Sequence, residues 1–314
     1  MMRTSTLLDR LFGEGKSLRG GSYASFTEWE RAFQDETEGW DEPVDRAVLG
    51  GYLSDRIGYA FAAGYECALR RLVPDLPRRG VVSFCVTEEG GAHPTAIRTT
   101  LSRESGPPGE DWILKGSKRF VTLASEAGLL LTAATTGMSP EGRNLIRMVL
   151  VETTGPGVTV SPMGGIPFIP EISHGAIDFS GVPLENSRVL PGDGYADYIK
   201  PFRTIEDLHV LAALLGYLLR VALHYNWPRE ITGRSAALIA GVRDLALDDP
   251  ASPALHITLG GIHGLIESLL REMEPCWESV DVEVKTRWER DRPLFGVAEK
   301  ARRTRLDTAW KKMS

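Results

Sequence analysis

The sequence lacks several features that define common classes of protein. It has three cysteines, Cys67, Cys85 and Cys276, and no Cys-x-x-Cys pair. Neither a disulfide framework nor a zinc knuckle is therefore expected, and a reducing cytoplasm is the predicted location. The longest uncharged apolar run, Val210–Leu219, is too short to span a membrane, and the start of the chain has no apolar core typical of a signal peptide.

The sequence also lacks an excess of positive charge. Its formal net charge is −6 at pH 7, whereas nucleic-acid binding needs clustered positive charge. The basic stretch from Lys300 to Lys312 alternates with apolar residues at helical spacing, which indicates a solvated helix face. Glycine-rich phosphate motifs, Gly-x-Ser-x-Gly and His-Glu-x-x-His are missing. His256 and His263 share a helix face without a third ligand, so we expect no nucleic acid and no metal.

Apolar residues near the N-terminus follow a helical period. Phe26, Trp29 and Phe33 recur at steps of three and four, which predicts a short amphipathic helix. A second helix is predicted from Val44 to Val73, where apolar residues recur every fourth position until prolines that cannot continue a helix. We therefore expect a small helical domain over residues 1–79.

After this region the period changes to that of β-strands. Short β-rich runs, separated by Gly, Pro and Ser clusters, occupy residues 81–87, 112–114, 129–131 and 146–151. The connections are mostly too short for helical crossovers, so the sheet should be largely antiparallel. The helical period then returns in four segments, the last from Val282 to Trp310. The pattern predicts an α+β protein with a β domain at 80–196 and a four-helix bundle at 197–314.

Several segments of the β domain resemble the middle domain of the acyl-CoA dehydrogenase family. Phe84-Cys85-Val86-Thr87-Glu88 and Lys115–Thr122 carry the resemblance most strongly. Four further segments follow in the family's order, namely Val149–Glu152, Gly155–Val158, Ile177–Phe179 and Val182–Asn186. The resemblance implies the family's fold in a shortened, diverged member, with N-terminal helices, a middle β domain and a C-terminal bundle.

The resemblance also implies a site for FAD at two strand ends. The family's flavin contacts correspond here to Phe84, Val86, Thr87, Phe120, Val121 and Thr122. In the family, the residue matching Thr122 lies near flavin N5, which takes the hydride, and Phe120 occupies a position usually held by tryptophan. Taken singly, these are also ordinary strand residues, because threonine and phenylalanine are favoured in half-buried strands.

The sequence departs from the family at other cofactor and substrate contacts. Ala92-His93-Pro94 replaces a glycine-serine-aspartate run that holds acyl-CoA, so His93 is either a contact to a different substrate or a surface residue. The Arg-x-x-Phe-Gly and Gln-x-x-Gly-Gly elements that reach the cofactor across the dimer are not intact. Arg229 could still meet a phosphate, whereas Gly260 and Gly261 indicate close helix packing.

The usual loop bearing the family's catalytic glutamate is absent from the sequence. Some branches of the family carry the base on the first bundle helix instead, and Glu206 matches that position. The alternative is a helix start at Thr204–Asp207, with Thr204 as cap and the acids facing the positive end of the helix. Both roles remain open at this point.

These observations favour a flavoprotein oxidoreductase that α,β-dehydrogenates an acyl thioester or a related substrate. The expected substrate is a small molecule such as an acyl-CoA. Two alternatives stay open: a catalytically silent member that binds a ligand or a partner subunit, and a flavin monooxygenase on the same fold. We also expect a homodimer or hetero-oligomer, because bundles of this family bury their outer face against a second copy. The short helical domain is also rich in large aromatics that could lie in such an interface, namely Trp227, Trp277, Trp288 and Trp310.

Overall fold

The computed structural model describes residues 4–13, 21–103 and 112–313. Its contacts divide the chain into two compact units. The helical unit comprises Met1–Arg71, Pro167–Glu171 and Thr204–Ser314, and the β unit comprises Leu72–Ile166 and Ile172–Arg203. Among the described residues, no helix is both long and apolar enough to cross a membrane.

The helices lie at both ends of the chain. In chain order they are α1 (Thr4–Gly13), α2 (Phe26–Glu36), α3 (Pro43–Leu53), α4 (Ile57–Leu72), α5 (Lys200–His224), α6 (Arg229–Leu247), α7 (Pro253–Met273), α8 (Val282–Asp291) and α9 (Glu299–Met313). The amphipathic helix predicted around Trp29 is α2, in which Trp29 and Phe33 are buried and stack on each other. Their apolar area therefore lies in the core of the helical unit.

Glycines allow α3 and α4 to pack unusually close to α5. A Cβ added to Gly51 would lie 1.8 Å from the carbonyl oxygen of Ala213, and one added to Gly64 would lie 2.4 Å from the Cα of Val210. Only glycine leaves room for backbones at such distances. Gly260 likewise faces Leu306 of α9, at 2.9 Å from an added Cβ, as the packing interpretation predicts. Gly261 is different, because an added Cβ would meet nothing within 4 Å.

The single helix predicted over 44–73 is wrong, because the chain breaks between α3 and α4. Ser54 has an extended backbone with ψ 136°. Its hydroxyl donates to the Gly50 carbonyl at 2.7 Å and accepts from the Trp29 indole N–H at 3.0 Å. A serine side chain that satisfies the end of one helix competes with continuation of that helix.

The last predicted helix, over 282–310, is also interrupted. A 3₁₀ turn at Arg292–Gly296 separates α8 from α9, and Ala298 has a left-handed φ of +66°. Pro293 lacks the N–H that a continuous helix would use. Asp291 at the end of α8 is fully buried and accepts the Ile169 N–H at 2.8 Å, which anchors the segment Pro167–Glu171 within the helical unit.

The β unit contains a seven-stranded sheet in the described residues. Its strands are β1 (Val82–Cys85), β2 (Thr100–Ser102), β3 (Trp112–Thr122), β4 (Leu129–Met138), β5 (Asn144–Glu152), β6 (Val158–Pro162) and β7 (His174–Leu184). The order is β1-β4-β2-β3-β7-β6, with β5 paired to β4. Four of the six pairings are antiparallel, and β4 pairs in parallel with β1 and β2. The predicted α+β class and the largely antiparallel sheet are confirmed.

Candidate functional site

The chain segments around Thr87 and Thr122 lie side by side in the β unit. The backbone N–H of Arg119 donates to the carbonyl of Thr87 at 2.8 Å. A second link joins the two segments, since the hydroxyl of Ser83 on β1 donates to the carbonyl of Thr122 at 2.7 Å. The two groups of predicted flavin contacts are therefore brought together, although the sequence separates them.

A β-bulge near the end of β3 turns Phe120 outward. Lys118 pairs with Ile177 and Val121 pairs with Gly175, so two residues of β3 oppose one residue of β7. Phe120 has a left-handed φ of +55° and is 62% exposed. A bulky residue in that backbone region is strained, and such strain concentrates at functional sites. An exposed aromatic ring beside Thr122 suits a planar ligand.

The hydroxyls of both threonines are available to a ligand. Thr87 and Thr122 are partly exposed, and neither hydroxyl has a hydrogen-bond partner within the described residues. The other predicted contacts have different environments. Phe84 is partly exposed and its ring lies 4.3 Å from that of Phe202, whereas the side chains of Val86 and Val121 are buried. These two valines can therefore contribute only backbone groups.

His93 is engaged in a local cap. Its Nδ1 accepts the Thr95 N–H at 3.3 Å and lies 2.8 Å from the Thr95 hydroxyl, so it caps the short 3₁₀ helix Pro94–Ala96. The ring is exposed, and its other nitrogen has no hydrogen bond within the part of the chain that is described. The cap favours the surface-residue interpretation, while a substrate contact remains a prediction.

Sequence reasoning missed a buried ion pair beneath this site. Lys118 is wholly buried, and its ammonium lies 2.6 Å from Glu88 Oε1 and 3.4 Å from the carbonyl oxygen of Val86. No local pattern pairs these residues, which lie 30 positions apart. Lys118 is also not distinctive in the sequence, because Lys115 and Arg119 lie in the same strand.

Glu206 lies in the second turn of α5, which overturns the helix-start alternative. The helix follows directly on a π-helical segment, Gly194–Ile199, whose cap is Asp193. The Asp193 carboxylate accepts the Tyr195 and Ala196 N–H groups at 2.9 and 2.7 Å. The positive end of the helix is thus well before Glu206, and Asp193 satisfies it instead of Thr204.

The surroundings of Glu206 favour its neutral form. Burial raises the pKa of its carboxyl to about 7, the adjacent Asp207 adds to the shift, and Arg305 opposes it. Its carboxylate has no hydrogen bond or ion pair with any described residue. Asp207, in contrast, pairs with Arg302 at 3.0 Å and Arg305 at 2.8 Å. The Asp207 carboxylate is thus held in ion pairs, whereas Glu206 combines a raised pKa with the absence of such a pair among the described residues, a combination that is typical of functional carboxyls.

The remaining predicted residues of the helical unit have separate positions. Arg229 is exposed at the first position of α6, and no described residue forms an ion pair with it. Trp227, Trp277 and Trp288 are buried against one another, with ring centroids 5.0 and 4.2 Å apart, whereas Trp310 is 54% exposed. Three of the four tryptophans thus fill the core, and they are no argument for a subunit interface. Across the described residues, no cluster of metal-ligating side chains occurs.

Known proteins are similar in sequence to the part of the chain that holds this candidate site. The family model described as "Acyl-CoA dehydrogenase, middle domain" matches residues 83–182, which hold both strand ends. A probable short/branched chain specific acyl-CoA dehydrogenase of Dictyostelium discoideum is 28% identical over 189 residues, or 56% of this chain and 44% of that protein. Glutaryl-CoA dehydrogenase of Desulfococcus multivorans is 28% identical over 139 residues, or 42% and 33%. The matched part is less than half the length of these relatives.

Solved structures share the whole architecture. The butyryl-CoA dehydrogenase of Megasphaera elsdenii covers 98% of this chain and 97% of its own, with a TM-score of 0.65 and 13% identity. The complex of TdsC from Paenibacillus sp. A11-2 with FMN and indole covers 99% and 95%, with a TM-score of 0.69 and 15% identity. The fold is therefore that of the acyl-CoA dehydrogenase-like proteins. Over residues 83–182 the chain is also similar in sequence to the middle domain of the acyl-CoA dehydrogenase family, and more widely to the two curated relatives.

Proposed function

We propose that this protein is an FAD-dependent oxidoreductase that α,β-dehydrogenates an acyl thioester or a related small molecule. The observation that carries the proposal is the juxtaposition of two uncommitted threonine hydroxyls, Thr87 and Thr122, with the exposed ring of Phe120. The names of two relatives, an acyl-CoA dehydrogenase and a glutaryl-CoA dehydrogenase, support an acyl thioester as the substrate class.

The residues present fit a flavin ring. Thr87 and Thr122 offer hydroxyls to the polar edge of the isoalloxazine, and Phe120 offers an aromatic face. Arg229 begins α6 and forms no ion pair with any described residue, and it would meet the pyrophosphate. FAD, when bound, supplies the acceptor for the hydride that leaves the β carbon of the substrate.

Glu206 is the proposed general base. A carboxyl whose pKa is about 7 is partly ionised at neutral pH and can take the proton from the carbon α to the thioester carbonyl. Efficient proton transfer requires a base of this strength, because a carboxylate with an ordinary pKa holds a proton too weakly. Burial, and after it the neighbouring Asp207, keep the pKa of Glu206 raised, and Asp207 is itself held by Arg302 and Arg305.

The test is anaerobic mixing of the FAD-loaded protein with a panel of acyl-CoA thioesters, following the visible absorption of the flavin. The parent should be bleached by at least one thioester, and Glu206→Gln should bleach slower by orders of magnitude, with equal FAD content. Glu267→Gln is the matched control, since Glu267 is an exposed glutamate of α7 without an ion pair among the described residues. An active parent with an equally active Glu206→Gln variant would remove Glu206 from the mechanism.

A flavin monooxygenase is the second candidate, because a structural neighbour holds FMN together with indole, which is not a thioester. That activity needs reduced flavin and oxygen but no α-proton base. It would be indicated if no thioester bleaches the flavin while the reduced protein consumes oxygen faster in the presence of an aromatic substrate such as indole. A flavin-binding protein inert in both assays would favour the silent, ligand- or partner-binding member.

Association into a homodimer or hetero-oligomer is part of the proposal. The family resemblance supports it, and Trp310 is the one tryptophan of the predicted set that is exposed. Sedimentation of the purified chain at micromolar concentration should show a dimer. A monomer would mean that a different subunit, or no subunit, completes the protein.

A further inference from the structure

The carboxylate of Glu88 joins three separate segments of the β unit. Besides the Lys118 ammonium, it accepts the backbone N–H of Arg98 at 2.7 Å and the N–H and hydroxyl of Thr99 at 3.1 and 2.8 Å. A buried carboxylate with this many donors has little freedom to move. Glu88 is also the residue that directly follows Thr87.

Lys118 also holds the chain on the N-terminal side of Thr87. Its ammonium donates to the carbonyl of Val86, the residue before Thr87, at 3.4 Å. The next residue along β3, Arg119, donates its backbone N–H to the carbonyl of Thr87 at 2.8 Å. Three successive residues, Val86 to Glu88, are therefore held by Lys118 and its neighbour Arg119, and the bulge that presents Phe120 begins directly after Lys118.

The pair places two opposite charges in a buried position. Burial would raise the pKa of Glu88, but the hydrogen bond and charge of Lys118 and the Thr99 and Arg98 amides lower it overall. Burial lowers the pKa of Lys118, and Glu88 opposes that shift. Charges that are poorly screened by water act strongly on any ligand nearby. The Glu88 carboxylate accepts from four donors, whereas the Lys118 ammonium has two hydrogen-bond partners among the described residues, Glu88 and the Val86 carbonyl.

We infer that Lys118 is a positioning residue for the flavin site: it fixes Thr87 through Glu88 and the Val86 carbonyl, and its positive charge favours the electron-rich reduced flavin. The inference rests on the proposed function, because it requires that a flavin lies against Thr87 and Thr122. It adds a determinant of reduction potential that no residue of the predicted site supplies.

The experiment measures FAD affinity and the midpoint potential of bound FAD in the parent, Lys118→Met and Glu88→Gln. Lys118→Met keeps an unbranched side chain, one atom shorter, and removes its charge. It should weaken binding of reduced relative to oxidised flavin about tenfold, which corresponds to a fall of about 30 mV for a two-electron couple. Glu88→Gln keeps the ammonium, so its potential should stay at or above that of the parent.

Two further variants separate this role from general stability. Arg70→Met breaks a comparable buried pair in the helical unit, where Arg70 lies 2.6 Å from Glu66. It should destabilise the fold and leave the potential unchanged. The double variant Lys118→Met/Glu88→Gln leaves no unpaired buried charge, so it keeps the test possible if Lys118→Met does not fold. Its potential should lie below that of Glu88→Gln, because these two variants differ only in the charge at position 118, and equal potentials would overturn the inference.

The outcomes distinguish failure of the proposed function from failure of the role of Lys118. A parent that binds no FAD overturns the proposed function and this role with it. A parent that binds FAD, combined with a potential unchanged in Lys118→Met, overturns this inference alone. Equal falls in Lys118→Met and Glu88→Gln would also overturn it, because a purely structural role predicts the same direction for both.

Discussion

Replacing Glu206 by glutamine should make the protein more stable at alkaline pH. Its carboxyl has a pKa of about 7 in the folded chain, compared with 4.5 for an ordinary glutamate. Below pH 4.5 the carboxyl is neutral in both the folded and the unfolded chain, so its ionisation does not affect stability. As the pH rises from 4.5 to 7, the unfolded chain loses its proton first, so the parent loses stability over this window. Above pH 7 the parent carries the full destabilisation from ionising this carboxyl in the folded chain.

The difference of the two pKa values sets the size of the effect. A shift from 4.5 to about 7 corresponds to about 3 kcal/mol. The side chain is partly exposed, so screening by water reduces that figure, and we expect about 1–3 kcal/mol. Glutamine keeps the size of the side chain without ionising, and the variant avoids the cost.

Denaturant unfolding of the parent and Glu206→Gln at about pH 5 and about pH 8 measures this effect. The stability difference between them should grow by about 1–3 kcal/mol in favour of the variant on going to the higher pH. Glu267→Gln, on an exposed face of α7, should show no such change. A Glu206→Gln difference that is the same at both pH values would refute the raised pKa, and with it the choice of base.

Four further predictions concern cofactor contacts and helix packing. Thr122→Val keeps the shape of the side chain and removes its hydroxyl, so FAD binding should weaken by about 1–3 kcal/mol in a titration. Arg229→Gln should weaken binding of FAD and leave binding of riboflavin, which has no phosphate, unchanged. Gly64→Ala should lower the unfolding free energy by about 1–3 kcal/mol or more, because its Cβ would lie 2.4 Å from the Cα of Val210. Gly261→Ala has open space and should stabilise α7 by up to about 1 kcal/mol.

Periodicity predicted the order of the elements and the class of the fold. The helical period around Trp29 and the β-rich runs after Gly80 correspond to α2 and to β1, β3, β4 and β5. It failed where a single polar or proline residue interrupts a good apolar pattern. Ser54 ends α3 by bonding to Gly50 and Trp29, and these partners are a consequence of tertiary packing. Pro293 is visible in the sequence, but the apolar period around it favoured continuation.

The candidate site was predictable only where it follows motif order. Thr87, Phe120 and Thr122 were chosen from resemblance, and the exposure and strained backbone of Phe120 come from a bulge that no spacing rule indicates. The Lys118–Glu88 pair depends on a contact between residues far apart in sequence. The choice between cap and base at Glu206 required the true start of α5, which lies at a π-helical segment capped by Asp193.

The central claim is that the strand ends at Thr87 and Thr122 hold a flavin. It is tested most directly by incubating the purified protein with FAD, removing free cofactor, and recording the visible absorption of the parent beside that of Thr122→Val. The account predicts flavin bands retained in stoichiometric amount by the parent and reduced in the variant at the same protein concentration. A parent that is colourless after incubation, or a variant that retains as much FAD as the parent across the titration, would contradict it.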